Sequence, residues 1–163
     1  MWAAHDNVKL CVHCGVGNAG KICLEQRAHN FNYVRADNKN TSPPNGVCVV
    51  GAPMVLETSV NLPLLMEHLR ASHPDIDKTI GISTNAGRYL CEFTFFHSLS
   101  LHKAPTLFVH VPPFSDMVTV DYLRTQLVRI ISAALEVIDG KRAGLLRPQV
   151  MDGKWKMRGR KSR

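Results

Sequence analysis

The chain has 163 residues, of which 45% are hydrophobic and 20% charged, so its composition predicts one soluble globular domain with one core. No apolar run is long enough to cross a bilayer, and residues 1–6 lack the basic and apolar segments of a signal peptide. These features exclude a membrane protein and give no sign of secretion.

The formal net charge of +7 is confined to the C-terminal end. Residues 141–163 contain nine of the twenty Lys and Arg residues but only one of the thirteen acidic residues. Such a tail is typical of a solvated, disordered end, and the alternative is that it holds phosphates by charge. We predict a folded domain over residues 1–140, a disordered basic tail over residues 141–163 and no nucleic-acid partner.

The five cysteines are odd in number and have no framework spacing, which predicts free thiols in a reducing compartment. We therefore expect a cytoplasmic protein. Cys11 and Cys14 form a single Cys-x-x-Cys pair, and zinc binding is the alternative that this pair leaves open. No second pair follows at finger spacing, and two strand residues three positions apart point to opposite faces. We expect no metal site.

The first half of the chain gives four segments in order. An apolar run at residues 8–14 predicts a buried strand. Residues 15–46, rich in Gly, Asn and Pro, are predicted to be irregular, and residues 47–50 could form a strand. A helix is expected over residues 61–72 because apolar side chains recur there at helical spacing: Leu62, Leu65, Met66 and Leu69.

Three further elements follow. Residues 79–83 predict a short strand, and Thr84 or Asn85 can cap a helix that runs to about Leu101. Residues 106–111 predict another strand, which two prolines close.

The last helix has the clearest pattern in the chain, and Gly140 is predicted to end it. Its apolar stripe contains Val120, Leu123, Leu127, Ile130, Ile131, Ala134, Leu135 and Ile138. Strands that alternate with helices predict an α/β fold with a largely parallel sheet.

Cys91, His110 and Glu25 are the candidate chemical groups. A thiol nucleophile needs a base or a positive field, and a histidine within hydrogen-bond reach could supply the base. A carboxylate could then orient the imidazole, and Glu25, expected to follow the first strand and loop, could lie at the same end of the sheet. Because Cys91 is six residues past Asn85, we expect the helix dipole to help little. Residue pattern alone does not bring the three groups together.

Three blocks of sequence carry a resemblance to a known family. They are residues 12–17 with residues 24–30, residues 82–93 and residues 107–113. The most specific string is Ala86-Gly87-Arg88-Tyr89-Leu90-Cys91. Over residues 1–138 the chain resembles the pyroglutamyl-peptidase I family of cysteine peptidases, and within it a vertebrate paralogue.

The resemblance implies a fold and a reaction. The fold would be a three-layer α/β/α sandwich with a mostly parallel mixed sheet, of the phosphorylase/hydrolase-like kind. Cys91 would be the nucleophile, His110 the base and Glu25 the acid that orients it. The substrates would be peptides with N-terminal pyroglutamate, released through a thioester without a metal or organic cofactor.

The chain also departs from the family pattern. The opening Gly-Phe-Gly-Pro-Phe-type motif, which helps to hold the pyrrolidone ring, is absent, so we expect an N-terminally truncated member with one pocket wall missing. Asn85 replaces an Asp of close relatives, and Ala36 replaces a bulky aliphatic residue. Two hypotheses therefore remain: an active peptidase, and a weakly active or inactive member that acts as a binding protein. The oligomeric state is not determined by the sequence.

Overall fold

A computed structural model describes residues 7–144 of the chain, with only the backbone described for residues 141–144. The described residues form six strands and three α-helices, apart from two short 3₁₀ turns. In chain order they are β1 (Cys11–Val16), β2 (Ile22–Glu25), β3 (Arg27–His29), β4 (Val55–Glu57), α1 (Leu62–Ser72), β5 (Ile80–Ser83), α2 (Leu90–Ser100), β6 (Thr106–Val111) and α3 (Val120–Gly144).

The main sheet has four strands in the order β1-β6-β2-β5. β1 pairs with β6 and β2 pairs with β5 in parallel, whereas β2 and β6 are antiparallel. The sheet therefore consists of two parallel pairs that run in opposite directions. A second sheet of two strands joins β3 and β4.

Helices cover both faces of the main sheet. One core cluster joins α1 and α3 to strand residues such as Leu24, Leu107 and Val109. The other joins Phe95 and Phe96 of α2 to the opposite face. Burial of a side chain of this size stabilises the fold by about 1.5–3 kcal/mol. The arrangement confirms the predicted three-layer α/β/α sandwich and its mostly parallel mixed sheet. Within residues 7–144, no helix combines the length and the apolar character that a membrane span requires.

Two strand predictions were wrong. Residues 15–46 were expected to be irregular, yet they contain β2 and β3. Residues 47–50 were expected to form a strand, but they make bends and turns next to Asn30. The Asn30 amide explains the difference, because its Oδ1 accepts from the backbone N–H groups of Cys48 and Val49. That side chain takes the hydrogen bonds that a neighbouring strand would otherwise supply.

The end of the last helix also differs from the prediction. α3 continues through Gly140 to Gly144, because a glycine without positive φ is tolerated inside a helix. Val120, predicted to be part of the apolar stripe, is 67% exposed, whereas Ala133 and Val137 are buried. The predicted tail lies outside the described residues from residue 145 onwards.

Candidate active site

Glu25 and His110 form a buried pair in the middle of the main sheet. Cys23 of β2 lies opposite His110 of β6, and Glu25 is two residues further along the same face of β2. His110 Nδ1 donates to Glu25 Oε1 over 2.8 Å, and the Glu25 side chain is only 2% exposed. Because the strands are antiparallel, the contact is a diagonal one across the ladder. Glu25 follows β1 and its loop and is the last residue of β2.

Cys91 approaches the same pair from α2. Gly15 of β1 lies opposite His110 in the β1–β6 ladder, and a Cβ on Gly15 would come within 2.8 Å of Cys91 Sγ. The thiol therefore lies over the backbone of Gly15, on the face that carries the imidazole. Cys91, His110 and Glu25 line one cavity of about 400 Å³.

Two glycines make this approach possible, and the sequence analysis did not identify their role. A Cβ on Gly17 would come within 2.9 Å of His110 Cβ, just as one on Gly15 would meet Cys91 Sγ. Neither glycine has positive φ, so their small size rather than their backbone freedom is what the site needs. The signal that could have found them is the alternation Gly15-Val16-Gly17 at the end of an apolar run, which leaves one face without side chains.

The start of α2 places Cys91 closer to the helix end than predicted. Neither Thr84 nor Asn85 caps the helix, which begins at Leu90. Gly87 and Arg88 have φ of 100° and 55°, and these left-handed residues separate the preceding loop from the helix. That conformation costs a non-glycine residue such as Arg88 about 1–2 kcal/mol. Cys91 is thus the second residue of α2, within the first turn, where the helix dipole is strongest.

Opposing effects act on the Cys91 thiol. Burial raises the pKa of Cys91 above its ordinary value, and the negative charge of Glu25 raises that pKa further. The positive end of α2 acts in the other direction. The thiol is consequently protonated at rest, and it needs a base to remove its proton when it reacts.

A second, more apolar cavity of about 420 Å³ adjoins the first. Arg35 and Tyr89 line both cavities, and the Arg35 guanidinium lies 4.0 Å from the centre of the Tyr89 ring. The Tyr89 hydroxyl donates to the carbonyl of Ala36 over 3.3 Å. Ala36, one of the departures from the family pattern, thus supports the wall between the cavities through its backbone.

Two other histidines of the matched blocks lie elsewhere. His13 Nε2 lies 2.8 Å from the Ser98 hydroxyl, and burial lowers the pKa of the His13 imidazole. His29 is bonded to Glu92 and does not line the cavity of Cys91. Cys11 lies 3.5 Å from His13, and within residues 7–144 no group of three or more His, Cys, Asp or Glu side chains is arranged to bind a metal ion.

Comparison with known proteins gives one consistent set of relatives. The chain is 34% identical over 140 residues to pyroglutamyl-peptidase 1 of Rattus norvegicus, and the aligned region covers 85% of this chain and 66% of the rat protein. It is also 34% identical over 139 residues to the pyroglutamyl-peptidase 1-like protein of Homo sapiens, covering 85% and 68% of the two chains. The chain therefore spans about two thirds of the length of the curated relatives it matches. No protein-family model matches it.

Solved structures share the fold. The pyrrolidone carboxyl peptidase from Thermococcus litoralis superposes with a TM-score of 0.66 at 19% identity, covering 82% of this chain and 68% of that one. The pyroglutamyl peptidase I from Bacillus amyloliquefaciens gives a TM-score of 0.64 at 18% identity, covering 78% and 66%. At this level of identity, the superpositions support the fold assignment alone.

Proposed function

The chain belongs to the pyroglutamyl-peptidase 1 family, and from that premise we propose that it is a cysteine peptidase that removes N-terminal pyroglutamate from peptides. The observation that carries the proposal is the buried Glu25–His110 pair in the cavity that also holds the Cys91 thiol. Cys91 is the nucleophile, His110 the general base and Glu25 the group that orients His110.

The first step forms a thioester. Because His110 Nδ1 carries the proton that it donates to Glu25, Nε2 has a free lone pair and takes the proton of the Cys91 thiol. The thiolate attacks the amide carbonyl that follows the pyroglutamyl residue, and the C–N bond then breaks. His110 returns the proton to the leaving amine, and the buried charge of Glu25 stabilises the imidazolium between these transfers.

The first turn of α2 supplies donors for the oxyanion. The first N–H groups of a helix have no acceptor within the helix, and Tyr89 at the N-cap provides no side-chain cap. The N–H groups of Leu90 and Cys91 are therefore the candidates for binding the negative oxygen. Removal of one such donor costs about 10²–10³ in kcat in a well-studied hydrolase.

The second step releases pyroglutamate. Water replaces the amine, His110 Nε2 takes a proton from it, and hydroxide attacks the thioester carbonyl. The C–S bond breaks and Cys91 regains its proton from His110. Every transfer in this cycle uses protein side chains and water, so the reaction requires no metal or organic cofactor.

The cavities and the cysteines support the substrate class and the location. The apolar cavity adjoins the cavity at Cys91, with the Arg35–Tyr89 stack between them, so a peptide bound at Cys91 would extend over that stack. All five cysteines are free thiols, as expected of a cytoplasmic protein.

Hydrolysis of pyroglutamyl-aminomethylcoumarin by the purified full chain tests the proposal. Turnover should be abolished in Cys91→Ser and retained in Cys11→Ser, because Cys11 does not line the cavity. Folded protein that binds the pyroglutamyl substrate without turnover would reject the proposal and favour a non-catalytic binding protein.

A further inference from the structure

Glu92, the residue after Cys91, is a second buried carboxylate. Its side chain is fully buried, at 0% exposure. Glu92 Oε2 accepts from the backbone N–H of Arg88 over 2.6 Å and from the Arg88 guanidinium over 2.8 Å. Glu92 Oε1 accepts from the backbone N–H of His29 over 3.0 Å and from His29 Nδ1 over 2.7 Å. The carboxylate thus connects α2 to two other segments of the chain.

The first of these segments is the loop that separates β5 from α2. Arg88 has left-handed φ, and both its backbone and its side chain bond to Glu92. The same guanidinium donates to Asn85 Oδ1 over 2.8 Å, and Asn85 Oδ1 also accepts from the N–H of Gly87. Asn85 and Gly87 line the cavity of Cys91. Glu92 therefore holds the cavity wall and the start of α2 in one arrangement.

The second segment is β3, which lies under α2. His29 is the last residue of β3, and both of its bonds to Glu92 link that strand to the first turn of the helix. Because the first turn is held from two directions, its rotation about the helix axis is fixed. That rotation determines whether the Cys91 thiol lies over Gly15.

We propose that Glu92 is a positioning residue for Cys91, which it holds beside His110 by fixing the left-handed Arg88 turn and the first turn of α2. The inference rests on the proposed function for its catalytic consequence. The effect of Glu92 on the Cys91 thiol itself can be measured without any peptide substrate.

Charge and position make different predictions for a variant that keeps the Glu92 charge, and that difference is the test. Removing a negative charge near Cys91 makes the thiolate easier to form, so through charge alone the substitution Glu92→Gln lowers the pKa of Cys91. If Glu92 acts by position, its loss also moves the thiol away from Glu25 and out of its buried place, which lowers that pKa. A variant that disturbs the same contacts but keeps the Glu92 charge must then lower the pKa of Cys91 as well. The other titratable side chains around this cavity are Glu25, His110, Lys21, Cys23, Arg35 and Tyr89, with Cys14 near the thiol from β1, and none of them is changed.

The experiment measures the rate of Cys91 alkylation by iodoacetamide against pH in the full chain. Trypsin releases residues 89–103 as one peptide in which Cys91 is the only cysteine, so mass spectrometry reports this thiol separately from the other four. In both Glu92→Gln and Arg88→Lys we expect a lower apparent pKa of Cys91 and a fall in kcat of about 10-fold or more with KM changed less than about twofold. The matched control is Glu57→Gln, which removes an exposed carboxylate paired with Arg27 and should change neither quantity.

A pKa of Cys91 that is not lowered in folded Glu92→Gln overturns the inference. A pKa that is lowered in Glu92→Gln but not in Arg88→Lys overturns it too, because charge alone then explains the shift. If Glu92→Gln does not fold, Arg88→Lys decides. It keeps the charge and the peptide, but its shorter side chain does not reach both Glu92 and Asn85 as Arg88 Nη1 does. An unchanged profile in that variant also overturns it. If the unmodified chain does not hydrolyse the pyroglutamyl substrate, the proposed function fails, whereas the alkylation profile still accepts or rejects the positioning role.

Discussion

Glu25 and His110 are 85 positions apart in the sequence, yet the antiparallel pairing of β2 with β6 makes them diagonal neighbours with a 2.8 Å hydrogen bond. One backbone ladder fixes both side chains, so their contact does not depend on a loop. A carboxylate in this position both selects the tautomer of the imidazole and stabilises its cation.

Glu25→Gln should separate these effects from the shape of the site. Within residues 7–144, Glu25 Oε2 has no hydrogen-bond partner, so an amide nitrogen can take its place without breaking a bond to Oε1. The charge is lost while the geometry remains. We expect kcat for the pyroglutamyl substrate to fall about 100-fold or more. Glu57→Gln serves as the exposed control, and a decrease of less than about twofold would show that Glu25 does not assist His110.

Gly15→Ala should reduce kcat more than it reduces the stability of the fold. The new Cβ would come within 2.8 Å of Cys91 Sγ and within 3.1 Å of the Phe108 ring, so the cysteine must move. A displacement of about 1 Å can reduce a rate about 100-fold. Gly81→Ala in β5 is the matched control, because its Cβ would have no neighbour closer than 4.0 Å. Equal kcat in the two variants would argue against the placement of the thiol over Gly15.

The sequence predicted the long, regular elements well. The apolar spacing in α1 and the apolar run in β6 each identify one element, and all four predicted core residues of α1 are buried. β2 was missed because its four residues carry no alternation that distinguishes a strand from a loop. Asn85 was a plausible cap, but its side chain instead accepts from Gly87 within its own turn, so the helix starts five residues later.

The site itself was available only through resemblance. No local pattern predicts that Glu25 meets His110, because the pairing of β2 with β6 is a long-range and antiparallel one. Buried Glu92 was not identified for the same reason, since two of the hydrogen bonds that it accepts come from His29, 63 positions away.

Substitution of Gly140 tests the corrected end of α3. Gly140 lies inside the helix without positive φ, and an added Cβ would meet no atom within 4 Å. Gly140→Ala should therefore raise the free energy of unfolding by about 0.5–1 kcal/mol, because alanine restricts the unfolded chain more than glycine does. Urea denaturation measures the change. A loss of stability would indicate that a left-handed residue ends the helix there, as the sequence had predicted.

The buried thiols predict a loss of stability at alkaline pH. Burial raises the pKa of Cys48 from 9.0 to about 11. Below the pKa that the Cys48 thiol has in the unfolded chain, this thiol is protonated in both the folded and the unfolded state, and it does not affect stability. As pH rises above that value, Cys48 loses its proton in the unfolded chain before it does so in the folded chain. The free energy of unfolding therefore falls until the pH reaches about the pKa of Cys48 in the folded chain.

Urea denaturation between neutral pH and the folded pKa of Cys48 measures that slope. Cys48→Ala should reduce it, whereas Lys39→Ala, an exposed change in the neighbouring loop, should leave it unchanged. An identical slope in Cys48→Ala would show that this thiol does not contribute to the alkaline limit.

The antiparallel pairing of β2 with β6 also means that the site consists of two parts that are held in different ways. Glu25 and His110 belong to one hydrogen-bonded ladder, whereas Cys91 is joined to that ladder only through α2, by packing and by hydrogen bonds such as that between His13 and Ser98. A change at the start of α2 can therefore alter how often the Cys91 thiol meets the imidazole while leaving the Glu25–His110 hydrogen bond intact. Substitutions at the start of α2 can thus change the position of Cys91 without changing the β2–β6 ladder.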